Sequence, residues 1–323
     1  MSSSQTDVSP VQRVHLDGAL RGSRAWLWYA IATTVLWGFW GAFTGFSAQR
    51  GFPDTLVYCV WSLTMVPPAV FVVARCGWKI DIEPRSILYG LIIGLLGAGG
   101  QMILFYVLTI GPPYLIFPVI SLSPVVTITL SYLLLAERTS RLGALGILLA
   151  LIALPFFDFS PQGLRGGSGL GWLLLSLMIM TCWGVQAYFM KLANQRMSAE
   201  SIFFYMMLTG LLLAPVAWFM TDFNQPINWD MDGPWLAAVI QVLNALGALL
   251  LVYAFRYGKA MVVSPLVNAG APMMTAVISL VVIGTVPGPL KMAGLALALV
   301  AALLLSLAEG GETEPASVGT AAR

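Results

Sequence analysis

Ten continuous apolar stretches, each close to the length of a membrane-spanning helix, fill most of this 323-residue chain. A helix needs about 20 mostly apolar residues to cross the hydrocarbon layer of a bilayer. The apolar residues do not alternate with polar ones, so barrel strands are excluded. The sequence therefore predicts an all-α membrane protein with ten transmembrane helices, at about 26–46, 56–74, 87–107, 113–135, 142–157, 170–190, 201–220, 235–255, 261–283 and 290–307.

Composition excludes the soluble classes of protein. Hydrophobic residues make up 59% of the chain and charged residues only 9%, against about 45–50% and 25% in typical globular proteins. A water-soluble enzyme, a nucleic-acid binder and a disordered protein do not fit these values. The connections between the apolar stretches are too short for an extramembrane domain, and the three cysteines lack the spacing of a disulfide framework or a metal site.

The distribution of basic residues predicts the orientation. With the N-terminus in the cytoplasm, thirteen Lys and Arg residues fall on the cytoplasmic side and three, Arg50, Arg165 and Lys291, on the other. Cytoplasmic loops carry such an excess of basic residues. We predict a multi-pass protein of the inner or plasma membrane with a cytoplasmic tail at 1–25 and a disordered cytoplasmic tail at 308–323.

The two halves of the chain resemble each other. Trp, Tyr and Pro positions recur in order, with offsets that drift by one residue at a time. The matched residues of the first half are Trp37, Gly38, Phe43, Gln49 and Arg50 (offset 146), Tyr58, Pro68, Tyr106, Gly111 and Pro118 (147), and Pro124, Ser131, Leu142 and Gly146 (148).

This repeat predicts the architecture. It divides the chain into a first repeat at 26–157, a linker at 158–169 and a second repeat at 170–307. Five predicted helices in each half is an odd number, so the second copy inserts upside down relative to the first. Inverted repeats give one scaffold two related conformations, which is the geometric basis of alternating access.

The fourth predicted helix reads Pro118-Val119-Ile120-Ser121-Leu122-Ser123-Pro124 and ends with Ala136-Glu137-Arg138. Together with the ten helices in two halves, this segment resembles the drug/metabolite transporter superfamily, EamA type, over residues 26–307. The resemblance implies a transporter with a cavity between its halves, for amino acids, other small metabolites, sugars, nucleotide-sugars or lipid-linked groups. Many relatives carry the glutamate in both halves, whereas Glu137 aligns with Thr285 here, so this chain departs from the family's paired pattern at that position.

Asp, Glu and His are missing from the middle of every predicted helix. Proton-coupled transporters commonly protonate a carboxylate at that depth. We therefore hypothesise that no titrating intramembrane carboxylate drives transport; facilitated movement, exchange and cation coupling through backbone carbonyls stay open. The same shortage argues against an intramembrane enzyme, which needs acid–base or nucleophilic groups. No cofactor and no metal site are expected.

Neutral polar and aromatic residues are the candidates for a binding site. Buried amides in lipid must find partners or face water. One interpretation is a neutral, hydrogen-bonding cavity with aromatic walls; the other is hydrogen bonding between helices. The candidate residues are Trp37, Gln101, Ser121, Trp183, Gln186, Gln241, Asn244 and Asn268.

Four prolines in the fourth and ninth predicted helices are candidates for gates or kinks: Pro118, Pro124, Pro265 and Pro272. Each removes a backbone donor and frees the carbonyl four residues earlier. The carbonyls predicted to be free are those of Tyr114, Ile120, Met261 and Asn268.

The sequence predicts a secondary transporter that moves a small polar metabolite by alternating access. The resemblance favours efflux of amino-acid-like solutes as the function, and sugar uptake is the alternative within the same class of transporter. A lipid-linked group flippase should show an apolar lateral opening, whereas a non-transporting scaffold should show no polar cavity. The expected partners are a small solute and the lipid bilayer, with no nucleic acid; a coupling cation and a homodimer are left open.

Overall fold

The structure is a computed structural model that describes residues 25–135, 140–158, 171–193, 196–257, 267, 270–284 and 287–312. All regular structure in these ranges is helical, which confirms the all-α prediction for them. The helices are α1 (Ala25–Phe43), α2 (Phe46–Gln49), α3 (Asp54–Thr64), α4 (Val66–Arg75), α5 (Pro84–Ile110), α6 (Pro113–Ile120), α7 (Pro124–Leu135), α8 (Arg141–Asp158), α9 (Gly171–Ala193), α10 (Ala199–Met220), a π-helical turn (Met231–Trp235), α11 (Leu236–Tyr257), α12 (Gly270–Ile283) and α13 (Pro289–Glu312).

Six stretches of the described chain are long and apolar enough to cross a membrane. They are Asp54–Arg75, Pro84–Ile110, Pro113–Leu134, Gly171–Met190, Ala199–Met220 and Met231–Leu251. Three shorter apolar helices are Arg141–Ala153, Gly270–Val282 and Pro289–Leu305. The count of ten spans stays a prediction.

Two of the predicted spans are interrupted. The second breaks at Met65, between α3 and α4, where Pro67 and Pro68 supply no backbone donors to the next turn. The fourth breaks at residues 121–123, between α6 and α7.

This second break corrects one prediction. The backbone N–H of Ser123 donates to the carbonyl of Ile120 at 3.0 Å, so Pro124 does not leave that carbonyl free. The chain turns locally at Ser121 and Ser123, and the turn satisfies the group that a continuous helix would have left unpaired.

The two halves make reciprocal contacts. The indole N–H of Trp37 on α1 donates to the carbonyl of Asn244 on α11 at 3.2 Å. The indole of its repeat partner Trp183 on α9 donates to the carbonyl of Gly97 on α5 at 3.4 Å. Asn244 and Gly97 are themselves 147 residues apart. The first helix of each half thus contacts the third helix of the other half in the same way.

A second pair of contacts repeats this relation. The hydroxyl of Thr275 on α12 donates to the carbonyl of Gly38 at 3.1 Å, and that of Thr127 on α7 donates to the carbonyl of Gly184 at 2.9 Å. Reciprocal pairing of equivalent positions is what a two-fold axis between the halves produces. The repeat seen in the sequence is therefore also a repeat of contacts.

Equivalent loops dock at opposite ends of the bundle. At one end, called here the Gly51 end, the backbone N–H of Asn228 donates to the carbonyl of Gly51 at 3.0 Å. At the other, the Asp81 end, the carboxylate of Asp81 accepts from the backbone N–H of Ser198 at 2.8 Å. Asn228 and Asp81 occupy equivalent places in the repeat, 147 residues apart, as do Ser198 and Gly51.

Charged groups contribute little to the stability of these loop contacts. Arg50 and Asp232 at the Gly51 end lie 3.8 Å apart, with side chains 44% and 54% exposed. Ion pairs this exposed contribute about 0–1 kcal/mol. In the adjoining loop, the backbone N–H and side-chain amide of Asn224 donate to Asp222 and hold the pKa of that carboxyl below its usual value.

The apolar core of the described residues divides into several clusters. One joins residues of α1, α5, α6 and α11 with parts of α8, α9 and α13, and in it Trp40 packs edge-to-face on Phe117 with ring centroids 5.7 Å apart. A second contains Phe52 and Leu56, next to the Gly51 end. Two smaller clusters lie toward the Asp81 end. One contains Ile93 and Ile202, and the other contains Ala30 and Ala254.

Candidate functional site

Gln241 lies at the centre of a buried hydrogen-bond network between α11 and α1. Its side chain is fully buried. Its Oε1 accepts from the indole N–H of Trp40 at 2.8 Å, and its Nε2 donates to the hydroxyl of Thr44 at 2.9 Å. Both ends of the amide are therefore bonded to the first helix and the turn that follows it.

Asn244, one turn further along α11, links α11 to α3. Its Oδ1 accepts from the indole N–H of Trp61 at 2.9 Å, and its backbone carbonyl holds Trp37 as described above. The hydroxyl of Thr33 donates to the carbonyl of Gly247 on the next turn at 3.2 Å. Three of the predicted site residues thus meet along one seam: Gln241, Asn244 and Trp37. The side-chain hydrogen bonds of Gln241 and Asn244 run between helices.

A second group of predicted residues meets at the contact of α5 and α9. Trp183 covers Gly100, where an added Cβ would lie 2.8 Å from the indole Cδ1. Gln186 covers Gly97, where an added Cβ would overlap the side-chain amide. Gln101, which follows Gly100 on α5, is buried at 4% exposure, and its Nε2 has no hydrogen-bond partner among the described residues.

The remaining predicted residues are scattered. Ser121 lies in the turn after α6 and donates its hydroxyl to the carbonyl of Pro118 at 2.7 Å. Pro118 lies inside α6, Pro124 begins α7, and Pro272 is the third residue of α12. Asn268 and Pro265, like the carbonyl of Met261, lie outside the described residues.

The polar side chains break the two-fold relation that the backbone keeps. Gln241 and Asn244 correspond in the repeat to Gly94 and Gly97, whereas Trp40 corresponds to Gln186. One seam is therefore built from indoles and amides bonded to each other. In the equivalent seam, Gly97 on α5 makes room for Gln186 of α9, and Gly94 makes room for Thr209 of α10.

Sequence reasoning missed the partners of the two α11 amides. Trp40 lies three residues after Trp37 and therefore shares its face of α1, which was an available signal. Trp61 and Thr44 gave none, because their contacts depend on how the helices pack. Sequence reasoning also did not single out Glu200, which is buried at 6% exposure in the first turn of α10.

A lateral groove of about 450 Å³ opens between α3–α4 and α11. Its walls are almost entirely carbon, and they include Leu63, Pro68, Trp235 and Leu246. The one lining hydroxyl, that of Thr64, already donates to the carbonyl of Trp61 at 2.7 Å. Trp61 follows the lining residue Val60, and Asn244 precedes the lining residue Ala245. The groove therefore runs beside the seam that contains Gln241 and Asn244, called here the first polar seam.

No group of three or more His, Cys, Asp or Glu side chains in the described ranges is arranged to hold a metal ion. The three cysteines are free thiols, each half-buried.

Comparisons with known proteins cover nearly the whole chain. The sequence model of the EamA-like transporter family matches twice, at residues 24–157 and 170–307. One solved crystal structure of a protein is 19% identical, with a TM-score of 0.58 over 88% of this chain and 98% of that chain. That likeness is one of fold alone. No curated protein matches the sequence.

Proposed function

The chain belongs to the EamA-like transporter family, and from this premise we propose that it is a secondary transporter moving a small polar metabolite by alternating access. The family places it among multi-pass membrane transporters of the drug/metabolite superfamily and confirms the resemblance drawn from the sequence. The observation that carries the mechanism is the reciprocal pairing of Trp37 with Asn244 and of Trp183 with Gly97.

This pairing supports two inverted halves that rock against each other. A two-fold relation in which each first helix contacts the other half's third helix gives two equivalent seams. Ten spans, cytoplasmic termini and an inner or plasma membrane location complete the proposal.

The solute we propose is polar and amino-acid-like, bound where the two seams approach each other. The binding groups are neutral: the amides of Gln101, Gln186, Gln241 and Asn244 and the indoles of Trp37 and Trp183. Sugar uptake uses the same kinds of group and is the rival within this class.

Coupling through a titrating carboxylate at mid-span is not part of this proposal. Glu200, the buried acid of the described residues, lies in the first turn of its helix rather than at mid-span. A stoichiometry of one proton per solute, lost on changing one acidic residue, would overturn this part.

The experiment that tests the function uses the full-length protein in detergent and then in liposomes. A thermal-shift panel of amino acids, sugars, nucleosides and cations identifies solutes that raise the Tm, and flux of each hit is measured. We expect a polar solute to raise the Tm and to be transported. If no member of the panel binds and none crosses the liposome membrane, the proposed function fails.

The lateral groove supports a second candidate, a flippase for lipid-linked groups. An apolar opening toward the bilayer is the feature such a protein requires, because its substrate keeps its tail in lipid. The groove passes beside Asn244, so a headgroup entering along it would reach the first polar seam.

Filling the groove separates the two candidates. In Ala238→Trp an indole occupies the groove, whereas Val239→Trp, on the exposed neighbouring position, leaves it open. We expect both variants to carry a water-soluble solute at the wild-type rate in the liposome assay. Loss of flux in Ala238→Trp alone would instead favour entry from the bilayer and the flippase.

A further inference from the structure

We propose that the side-chain amide of Gln101 donates the hydrogen bond that recognises the transported solute, and that the solute offers a carboxylate or carbonyl oxygen to accept it. This inference rests on the proposed function and names the chemistry of its substrate.

Gln101 is a buried donor without an acceptor. The residue is 4% exposed, and its Nε2 has no partner among the described residues. A buried amide hydrogen left unpaired costs free energy, most of all where neither water nor another side chain is near. The two other buried side-chain atoms without a partner there are hydroxyls, on Ser47 and Ser279, which can rotate toward an acceptor.

Five of the neighbouring side-chain donors are already in use. Gln241 gives its Nε2 to Thr44, and the indoles of Trp40 and Trp61 bond to Gln241 and Asn244. The indoles of Trp37 and Trp183 bond to backbone carbonyls on the facing helices. A solute that arrives between the seams and leaves these bonds intact therefore finds the buried amide of Gln101 unpaired.

The position of Gln101 suits a central site. It lies nine residues before the end of α5, or about 14 Å at the rise of an α-helix. It shares its face of α5 with Ala98 and Phe105, which pack in the same cluster as Trp61. Leu104, one turn closer to the Gly51 end, belongs to the cluster that contains Trp40.

The glycines around Gln101 bring the second seam to the same place. Gly100 and Gly97 let Trp183 and Gln186 approach the backbone of α5 within one turn of Gln101. On α5, Gln101 thus lies between residues that pack with Trp61 and the glycines that Trp183 and Gln186 cover. This arrangement places the donor close to indoles of both seams.

The chemistry of the donor limits the solute. An amide NH₂ binds an oxygen lone pair and gives nothing to an ammonium group. Carboxylate and carbonyl oxygens are the strongest such acceptors among small metabolites. A solute carrying only an ammonium group has no use for this donor.

The test compares the wild type with Gln101→Met, which keeps the length of the side chain and removes the donor. Both proteins are titrated by thermal shift with L-phenylalanine, L-serine, glucose and uridine, which carry acceptor oxygens. Phenethylamine, which is phenylalanine without its carboxylate, is the matched control probe. Gln101→Asn, which keeps a shorter donor, is the conservative variant.

We expect an acceptor-bearing probe, and not phenethylamine, to raise the Tm of the wild type. Gln101→Met should bind that probe about tenfold more weakly or worse, and Gln101→Asn should fall between the two. Without solute, the Tm of Gln101→Met should equal or exceed that of the wild type, because an unpaired donor has been removed. A residue with a purely structural role would give the opposite sign.

Two results would overturn the inference while leaving transport intact: equal affinity of the wild type and Gln101→Met for a transported probe, or stronger binding of phenethylamine than of phenylalanine. A fall in the Tm of solute-free Gln101→Met with unchanged affinity would likewise make Gln101 a packing residue. If no probe binds the wild type and none is transported, it is the proposed function that fails.

Discussion

A variant carrying Gln241→Leu and Asn244→Leu will fold but will not transport solute. Leucine fills nearly the same volume and removes both amides of the α11 seam. Three bonds are lost, from Trp40, to Thr44 and from Trp61, and interhelical bonds of this kind are worth about 0.6–2 kcal/mol each. We therefore expect a lower Tm, a monodisperse protein and flux at the background rate. Flux per folded protein is measured in liposomes at a temperature below both melting transitions.

The matched controls are Trp40→Phe and Trp61→Phe. Each substitution removes an indole N–H but leaves the amide that accepted from it. The hydrogen bond between the helices is therefore lost, whereas the amide can still bind a solute. If the amides act on the solute, the two phenylalanine variants keep most of their flux. If the double leucine variant transports as well as the wild type, the amides only hold helices together.

Gly100→Leu and Gly247→Leu will be the most damaging single substitutions in the two seams. An added Cβ at Gly100 would overlap the indole of Trp183, and one at Gly247 would overlap the indole of Trp37. Overpacking of a filled contact costs about 1–3 kcal/mol, and a rigid indole on the facing helix leaves no easy way to relax. We expect aggregation, or a Tm well below that of the wild type, from both.

Gly99→Leu is the control for these variants. A Cβ at Gly99 meets nothing within 4 Å, although it is the immediate neighbour of Gly100. Monodispersity by size exclusion and thermal unfolding should therefore rank Gly99→Leu with the wild type. A wild-type Tm for Gly100→Leu would contradict the close approach of α9 to α5, and a large difference between the Gly100 and Gly247 variants would contradict their equivalence.

The helical class and the repeat were accessible from the sequence because both depend on spacing along the chain. Uninterrupted apolar runs predict helices in a bilayer. Trp and Gly positions matched at offsets of 146 to 148 residues predicted which residues are equivalent, and Trp37 and Trp183 make equivalent bonds. The breaks at Met65 and at residues 121–123 fell where prolines lie, but which carbonyls the turns satisfy depends on local geometry.

The partners of the polar residues were not accessible in this way. Trp40 and Gln241 lie 201 residues apart, and no local pattern connects them. The sequence left open whether the amides of α11 face a cavity or bond between helices, because both need an amide on a helix face. Only the packing of α1 and α3 against α11 shows that Trp40, Thr44 and Trp61 surround them. The unpaired amide of Gln101 also depends on this packing.

The central claim is that the two halves are threaded through the membrane in opposite senses. It is tested by placing single cysteines at Gln49 and at Arg196 in a protein whose native Cys59, Cys76 and Cys182 have been replaced. Both positions are exposed, and they follow the first helix of the first and second halves respectively. A membrane-impermeant maleimide should label Gln49→Cys from outside intact cells and Arg196→Cys only after permeabilisation. Labelling of both from the same side would contradict the inverted repeat and, with it, the alternating-access mechanism.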